Sequence, residues 1–462
     1  MGSESSERQT ALYRAVWRWH FLAGLLSLPF LLNLAVTGGL YLFTPEINHL
    51  LYHSLEDVPA RGGAPLAASA LVQRTAEATQ SDVLSVTLPS APDKSVQMDI
   101  QTPSGELQTA FADPYDGSLL GTIQYHGVMQ IVRKIHSLQY FGFWASCLVE
   151  IAAGWTIVLA LSGIFLWWPR GRGGGVVSVR GTPKSRMFWR DLHAVTGLFT
   201  SAVILFLAVT GMPWSLVWGQ YVQDWTTAAG LSRPAPPAGI EPPSFRPPAG
   251  KARQVGHVHG GAPPSNLPWT LEKTVPPEST PDMRQAITLD QAVAALDKLG
   301  LPKPYSINLP QGPKAAFIAN SRFDQVETTR VVYIDQYSGA VLDDVGFAQF
   351  GMAAKAIEWG IMVHQGQQYG FINRYLMLAG CIAIVVLTIS APVIWWKRRP
   401  NGSFGMPPAA ANRRAALSVL AVMAIAGIIY PLVGLSMIAA LLLERLYEII
   451  RRTFERRPSP AQ

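Results

Sequence analysis

Four histidines stand at matched positions of a duplicated pattern, and their type and spacing could do chemistry. His20, in RWHFLAGLLSLPFLLNLAVTG, and His193, in DLHAVTGLFTSAVILFLAVTG, each open a stretch that closes on LAVTG at the same distance. His136, in KIHSLQYFGFW, and His364, in MVHQGQQYGFI, each precede an apolar run that ends in Trp-Trp at the same distance. Because a neutral imidazole is a common metal ligand, these two pairs are candidate metal-ligand sites.

The composition is that of an integral membrane protein. Of the 462 residues, 49% are apolar and 15% are charged, against about 25% charged residues in a soluble domain. Apolar runs of about 20 residues recur, which is the length of a membrane-spanning helix. The net charge is +7, but basic residues cluster at the ends of the apolar runs, so they indicate topology and not nucleic-acid binding. Cys147 and Cys381 lie inside apolar runs, and we expect them to be packing residues.

The predicted fold class is an α-helical integral membrane bundle with four core spans in a tandem repeat, a C-terminal hydrophobic segment and two α+β extracytoplasmic domains. Lys- and Arg-rich loops mark the cytoplasmic side. The predicted segments, in order, are the cytoplasmic N-terminus 1–19, span one 20–43, the first outer domain 44–135, span two with an outer extension 136–168, a cytoplasmic basic loop 169–190, span three 191–218, the second outer domain 219–363, span four with an outer extension 364–396, a cytoplasmic loop 397–414, the C-terminal hydrophobic segment 415–450 and a basic tail 451–462.

The C-terminal hydrophobic segment allows two interpretations, because it contains Pro431. It forms either one tilted span or a hairpin of two short helices. The basic tail lies on the same side as the other basic loops only with the hairpin, so the distribution of charge favours the hairpin.

Each outer domain has the pattern of one helix followed by strands. In the first domain the helix is SALVQRTAEATQ and the strands include VLSVTL and SVQMDIQT; in the second the helix is LDQAVAALDKLG and the strands include YSINLP and TRVVYIDQ. The turns DPYDG and DQYSG are two copies of one motif. A Pro/Gly-rich stretch at 233–264 cannot build a core and is predicted to be an irregular insert.

Histidines at membrane depth are functional candidates, although any one of them alone is better explained as an interfacial packing residue. A two-fold bundle built from the repeat brings His20 near His193 and His136 near His364. Each pair could then clamp haem iron from both faces. Gly24 and Gly197, four residues after the first pair, either leave room for a flat macrocycle or serve helix packing. Two histidines are too few ligands for bare zinc or copper.

The depth of the two pairs is a difficulty for electron transfer between them. His136 lies 31 residues before Trp167, so a continuous helix would separate them by about 46 Å. The outer pair is then expected at or beyond the headgroup level.

Other polar residues have weaker patterns. His49 and His53, spaced i and i+4, could bind a metal or substrate but more simply form an exposed helix face; His126 is interpreted as structural; and His257 and His259 could hold a metal but more simply lie in a solvated loop. Asp191 and Glu358 lie near span ends, where we expect exposure. No GxGxxG fingerprint in its strand–helix context and no P-loop is present, so an electron donor would be a separate molecule.

The WHxxxG…TG starts of spans one and three, the D-x-Y-x-G turns and the Trp-Trp ends of spans two and four resemble the PepSY-associated transmembrane family. Its members include iron-regulated inner-membrane proteins and di-haem ferric-siderophore reductases of Gram-negative bacteria. The resemblance implies PepSY-like outer domains and two b-type haems. It makes His20 and His193 the inner ligands, and His136 and His364 the outer ligands.

The resemblance also implies a function, with one alternative. The first hypothesis is a haem-dependent ferric-siderophore (ferric-chelate) reductase in the bacterial inner membrane, which takes electrons from a cytoplasmic reductant or a quinol and releases iron in the periplasm. Arg133, Lys134 and Arg374 would pair with haem propionates or act as ordinary interface anchors. The alternative is a non-enzymatic sensor or protease-regulating membrane protein, because PepSY-like domains resemble inhibitory propeptide modules.

Overall fold

The structure is a computed structural model of the chain. It describes residues 2–169, 176–232, 267–271, 276–281, 285–321, 325–400, 405, 407 and 413–455. The predicted insert at 233–264, with His257 and His259, lies outside the described residues.

The chain forms two compact units. The helical unit consists of Met1–Gly39, Ile135–Tyr221 and Leu376–Gln462, and the sheet unit consists of Leu40–Lys134 and Val222–Tyr375. Within the described ranges the α-helices are α1 (Gly2–Tyr41), α2 (Thr44–Glu56), α3 (Ala68–Thr79), α4 (Gly127–His136), α5 (Phe143–Trp167), α6 (Arg186–Gly211), α7 (Trp218–Ala228), α8 (Leu289–Lys298), α9 (Met352–His364), α10 (Gly370–Arg398), α11 (Arg413–Ile429) and α12 (Pro431–Glu455). The strands are β1 (Asp82–Leu88), β2 (Val96–Gln101), β3 (Leu107–Ala112), β4 (Leu119–Gln124), β5 (Tyr305–Asn308), β6 (Phe317–Ser321), β7 (Arg330–Ile334) and β8 (Val341–Gly346).

Four of these helices are long and apolar enough to cross a membrane. In the described part of the chain they are Thr10–Tyr41, Phe143–Trp167, Arg186–Trp214 and Gly370–Arg398. They agree with the four predicted spans, and the chain is therefore a multi-pass membrane protein. The histidine-bearing extensions predicted before spans two and four are separate helices, because neither continues into its span.

The break before span two has a local cause. Helix α4 ends at His136, Leu138 and Gly142 have φ angles of 53° and 85°, and α5 begins only at Phe143. Since a left-handed residue ends the helical hydrogen-bond ladder, the continuous helix considered for His136 to Trp167 does not form. Before span four, α9 ends at His364 and α10 begins at Gly370, with Gly366 at a φ of 73°.

The C-terminal segment is divided into α11 and α12 at Tyr430. The backbones of the two helices meet at Gly427 and Gly434, where a Cβ on Gly427 would lie 2.7 Å from the Gly434 Cα. Val433 fills the space beside Gly154 of α5, whose added Cβ would lie 2.2 Å from a Val433 methyl group. Small residues therefore allow close packing of the two C-terminal helices on each other and on span two.

The sheet unit contains one eight-stranded antiparallel sheet in the order β4-β3-β2-β1-β5-β6-β7-β8. Each half is a meander of four strands preceded by a helix, α3 or α8. The halves join where β1 pairs with β5, in a register centred on Val86 opposite Ile307. Alternate strand residues pack with the two helices in a common core that includes Leu71, Ile100 and Leu296.

Asp191 and Glu358 are buried, which contradicts the predicted exposure of both. Asp191, in the first turns of α6, receives hydrogen bonds from Arg180 and Arg190, so two guanidinium groups offset the cost of burying its charge. Glu358, on α9, accepts hydrogen bonds from the Thr270 backbone N–H at 2.8 Å and hydroxyl at 2.7 Å. Proximity to a span end did not reveal the burial, because Arg180 lies before α6 and Thr270 lies far from α9 in the sequence.

Glu358→Gln tests the burial of this carboxyl through the pH dependence of unfolding. Burial raises the pKa of Glu358, although the hydrogen bonds from Thr270 oppose that shift. A carboxyl with a raised pKa binds its proton more tightly in the folded state, so stability is lost as the pH rises from the ordinary pKa through the raised one. Glutamine keeps an acceptor oxygen without the charge. We expect the melting temperature of the variant in detergent to fall less than that of the wild type over this window.

The exposed Glu106→Gln serves as the control, because that carboxyl lies at the surface. It should retain the wild-type dependence of the melting temperature on pH. If the melting temperatures of Glu358→Gln and the wild type changed with pH in parallel, the raised pKa of the buried Glu358 would be contradicted.

Candidate functional site

His20 and His193 lie close to each other inside the helical unit, as the repeated spacing predicts. They come from α1 and α6, the first and third spans, and both are half-buried. Their ring centroids lie 6.4 Å apart, with an angle of 88° between the ring planes. Two imidazoles that share one metal ion have ring centres about 6 Å apart, given metal–nitrogen bonds of about 2 Å. The separation therefore fits two axial ligands of a single ion.

A serine on a neighbouring helix holds each of these rings through Nδ1. His20 Nδ1 lies 2.8 Å from the hydroxyl of Ser162 on α5, and His193 Nδ1 lies 2.9 Å from the hydroxyl of Ser390 on α10. A ring nitrogen that is engaged in this way leaves the other nitrogen, Nε2, for coordination. Both members of the pair thus present the same nitrogen as a candidate ligand.

The serine hydroxyls donate their own hydrogens elsewhere. Ser162 Oγ donates to the carbonyl of Val158 at 2.6 Å, and Ser390 Oγ donates to the carbonyl of Leu387 at 3.2 Å. A hydroxyl has one hydrogen, so each serine oxygen is left to accept from the histidine. This chain of bonds assigns the Nδ1–H tautomer to His20 and His193.

Gly24 and Gly197 lie against leucines of neighbouring helices. A Cβ on Gly24 would lie 3.8 Å from Leu159 Cδ2, and one on Gly197 would lie 3.7 Å from Leu387 Cδ2. These are ordinary packing distances, which favour helix packing over the macrocycle interpretation. The glycine that does approach a ring of this pair is Gly163 on α5. A Cβ added to Gly163 would lie 3.4 Å from His20 Cε1.

His136 has the same arrangement at the other end of α1. Its Nδ1 lies 2.8 Å from the hydroxyl of Thr37, which donates to the carbonyl of Asn33 at 2.5 Å. The side-chain amide of Asn33 also donates to the carbonyl of Ile135 at 3.0 Å, which anchors the end of α4 to α1. Burial lowers the pKa of His136 to about 4, so the ring is neutral and can act as a ligand at neutral pH.

The His20–His193 pair and His136 lie at two levels along span one. The distance between these levels is shorter than the distance that a continuous helix from His136 to Trp167 would give. His136 is bonded to Thr37, which follows His20 by 17 residues on α1. Seventeen residues of helix rise about 25 Å, compared with about 46 Å for the 31 residues up to Trp167. Both levels are therefore separated by less than the thickness of the bilayer's hydrocarbon core, about 30 Å.

His364 ends α9 in the sheet unit, whereas His136 belongs to the helical unit. The pairing of His136 with His364 stays a prediction. Within the described ranges, no group of three or more His, Cys, Asp or Glu side chains is suitable for a metal ion. A haem that is held by two imidazoles does not require such a group.

The residues proposed as propionate partners have different surroundings. Arg374 forms an ion pair with Glu46, and its guanidinium lies 5.8 Å from the centre of the Phe43 ring. This pairing fits the interface-anchor interpretation of Arg374. Arg133 is exposed and Lys134 is half-buried on α4. Their part in binding propionates stays a prediction.

The remaining described histidines lie at the surface of the sheet unit. His49 and His53 are exposed on α2, with ring centroids 6.1 Å apart, as expected for an exposed helix face. His126 is exposed, has a φ of 55° and packs its ring edge-on against Tyr125.

Sequence reasoning missed the hydroxyls, although a signal for them was present. Ser162 and Ser390 each stand five residues before the first Trp of the two Trp-Trp ends. Thr37 and Thr210 are the same position of the two LAVTG motifs, and Thr210 donates to the carbonyl of Phe206 as Thr37 does to that of Asn33. Comparing the repeated motifs position by position would have identified these four hydroxyls as candidates in register with the histidines.

Substitution of adjacent glycines tests the fit of the His136 ring against α1. A Cβ on Gly38 would lie 3.3 Å from His136 Cε1, whereas one on Gly39 would lie 3.8 Å from Cys381 Cβ. Alanine in a helix is favoured over glycine by about 0.5–1 kcal/mol. We expect Gly39→Ala to maintain or raise the melting temperature in detergent and Gly38→Ala to lower it. Equal effects of the two changes would show that the ring does not depend on this contact.

Comparison with known proteins places most of the chain in one family. No curated protein matches the chain significantly. The family described as PepSY-associated TM region matches residues 17–398. The matched range includes both halves of the sheet and all four candidate spans, apart from the first residues of span one. With this match over most of its length, the chain belongs to the PepSY-associated TM region family.

Proposed function

We propose that this protein is an inner-membrane b-type haem protein that moves electrons across the membrane and reduces ferric siderophores in the periplasm. The observation that carries the proposal is the proximity of His20 and His193, whose ring centroids lie 6.4 Å apart and whose Nδ1 atoms are each held by a serine. A pair of neutral imidazoles with fixed rings on two apolar helices suits the axial ligation of haem iron.

The chain offers ligands at two levels. His20 and His193 would hold one haem, and His136 and His364 would hold the other. When bound, haem supplies one-electron redox chemistry, with its potential set by the axial ligands and by their hydrogen bonds. The hydroxyls of Ser162, Ser390 and Thr37 would orient the rings of His20, His193 and His136, respectively. The rise of about 25 Å between the levels of His20 and Thr37 supports a path for electrons along the direction of span one.

The direction of electron flow is proposed from the charges. Basic residues flank the ends of spans at which His20 and His193 lie, including Arg18, Arg190 and Arg398. By the positive-inside tendency this is the cytoplasmic side, so a cytoplasmic reductant or a quinol would deliver electrons there. The sheet unit would then be periplasmic, where the ferric siderophore arrives.

Reduction of the substrate would occur without coordination to haem. His136 and His364 would both be committed to holding the haem, which would supply one electron to the ferric chelate without binding it and so give the ferrous chelate. Ferrous iron is held less strongly by siderophore oxygen ligands, which would release it.

We also propose that the chain is a tandem repeat with two PepSY-like domains. Several matched features support this. The two sheet halves have the same order of elements, and their turns are closed by the same backbone bonds, from Gly117 to Asp113 and from Gly339 to Asp335. Ser162 and Ser390, on the second and fourth spans, each bond to the histidine of the preceding span.

The reduced-minus-oxidised absorption spectrum of the purified protein tests the function. We expect a b-type spectrum with two haems per chain, and reduction of a ferric hydroxamate by the dithionite-reduced protein. His20→Ala and His193→Ala should each lose the same haem, because each removes one axial ligand, and His136→Ala and His364→Ala should lose the other.

His126→Asn provides the control, because asparagine tolerates the left-handed backbone at this exposed position. It should keep both haems. A colourless protein from haem-replete cells would contradict the proposal. If His20→Ala also supported growth on ferric siderophore as the wild type does, the histidines would be packing residues, as the sensor hypothesis requires.

A further inference from the structure

We infer that the hydroxyls of Thr37, Ser162 and Ser390 are positioning groups that fix the tautomer and the donor strength of the haem-ligating histidines, and thereby lower the reduction potentials of both haems. This inference rests on the proposed function. Thr37 acts on the outer level through His136, and the two serines act on the inner level through His20 and His193.

The three hydroxyls share one geometry. Each lies on a different helix from its histidine, 2.8–2.9 Å from Nδ1. Each also donates its only hydrogen to a carbonyl three or four residues earlier in its own helix. The carbonyl thus determines the role of the hydroxyl, which can only accept from Nδ1–H. A hydroxyl that was otherwise uncommitted could have donated to Nδ1 and selected the opposite tautomer.

The acceptor role has an electronic consequence. A hydrogen bond from Nδ1–H to an oxygen raises the basicity of the imidazole and makes Nε2 a stronger donor to a metal. A stronger donor stabilises the more highly charged ferric state relative to the ferrous state. Since both inner histidines have such a bond, the inner potential is lowered twice, once through each axial ligand.

The choice of a hydroxyl over a carboxylate follows from the position in the membrane. A carboxylate would accept more strongly, but its charge is costly within an apolar bundle and would need a cationic partner. The described buried carboxylate of span two, Glu150, is used elsewhere: it accepts from the backbone N–H groups of Val217 and Trp218. A hydroxyl that is already bonded to its own helix provides an acceptor without a net charge.

The inference is tested by redox titration of the haem-loaded full chain. Ser162→Ala and Ser390→Ala should each raise the midpoint potential of the same haem, and the double variant should raise it further. Thr37→Val should raise the potential of the other haem. Ser162→Thr and Thr37→Ser retain a hydroxyl at the same position and should therefore have the wild-type potentials. A purely structural role would lower haem content or stability without a shift of this sign.

Two further variants serve as matched controls on the same helices. Thr156 of α5 donates to the carbonyl of Ala152 at 2.7 Å, and Thr388 of α10 donates to that of Val385 at 2.9 Å. Thr156→Val and Thr388→Val should therefore leave both potentials at their wild-type values. If an alanine variant is isolated without haem, titration with added haemin should show about tenfold weaker binding, restored by the threonine variant.

The outcomes separate this inference from the proposed function. A wild-type protein without haem would refute the function and the inference together. A wild-type protein with two haems, whose potentials are unchanged or lowered in Ser162→Ala and Thr37→Val, would refute only the role of the hydroxyls. The inference would also fail if these two variants shifted the same haem, or if loss of haem was not corrected by threonine.

Discussion

The structure depends on the satisfaction of polar groups within apolar helices. A side chain that can form hydrogen bonds is costly at membrane depth unless it has a partner. The hydroxyls that bond to the histidines each have two partners. Ser162 and Thr37 bond first to their own helix and then to a histidine of another helix. These links fix the positions of the spans as well as the rings, so the packing of the bundle and the geometry of the ligands are a single problem.

The stability of the sheet unit depends on the joining of its two halves. Each half contributes only four strands and one helix, which is a small core for independent stability. Pairing of β1 with β5 joins the halves into one sheet, and Val86 and Ile307 are both fully buried at the join. Polar pairs on the other face, such as Thr87 with Ser306 at 2.7 Å, align the register of the two strands.

Much of this organisation was accessible from the sequence. Hydropathy located the four spans, and the spacing from His20 and His193 to LAVTG predicted that these residues meet. Period-two patterns predicted most strands. The sequence did not indicate that Asp191 and Glu358 are buried, because their partners, Arg180 and Thr270, are defined only by the tertiary fold. The sequence allowed for a break at a glycine between His136 and span two, but it did not indicate the left-handed conformation of Leu138, which has no compositional signal.

The join between the sheet halves has a consequence for biosynthesis. Strand β1 is complete at Leu88, but its partner β5 begins at Tyr305, more than two hundred residues later in translation. Until then the edge of β1 presents unpaired backbone groups, and an exposed strand edge readily recruits other chains. The first half therefore has an open edge while the next two spans and the start of the second half are still being synthesised. Chaperones, or rapid synthesis of the second half, would protect the nascent protein from aggregation.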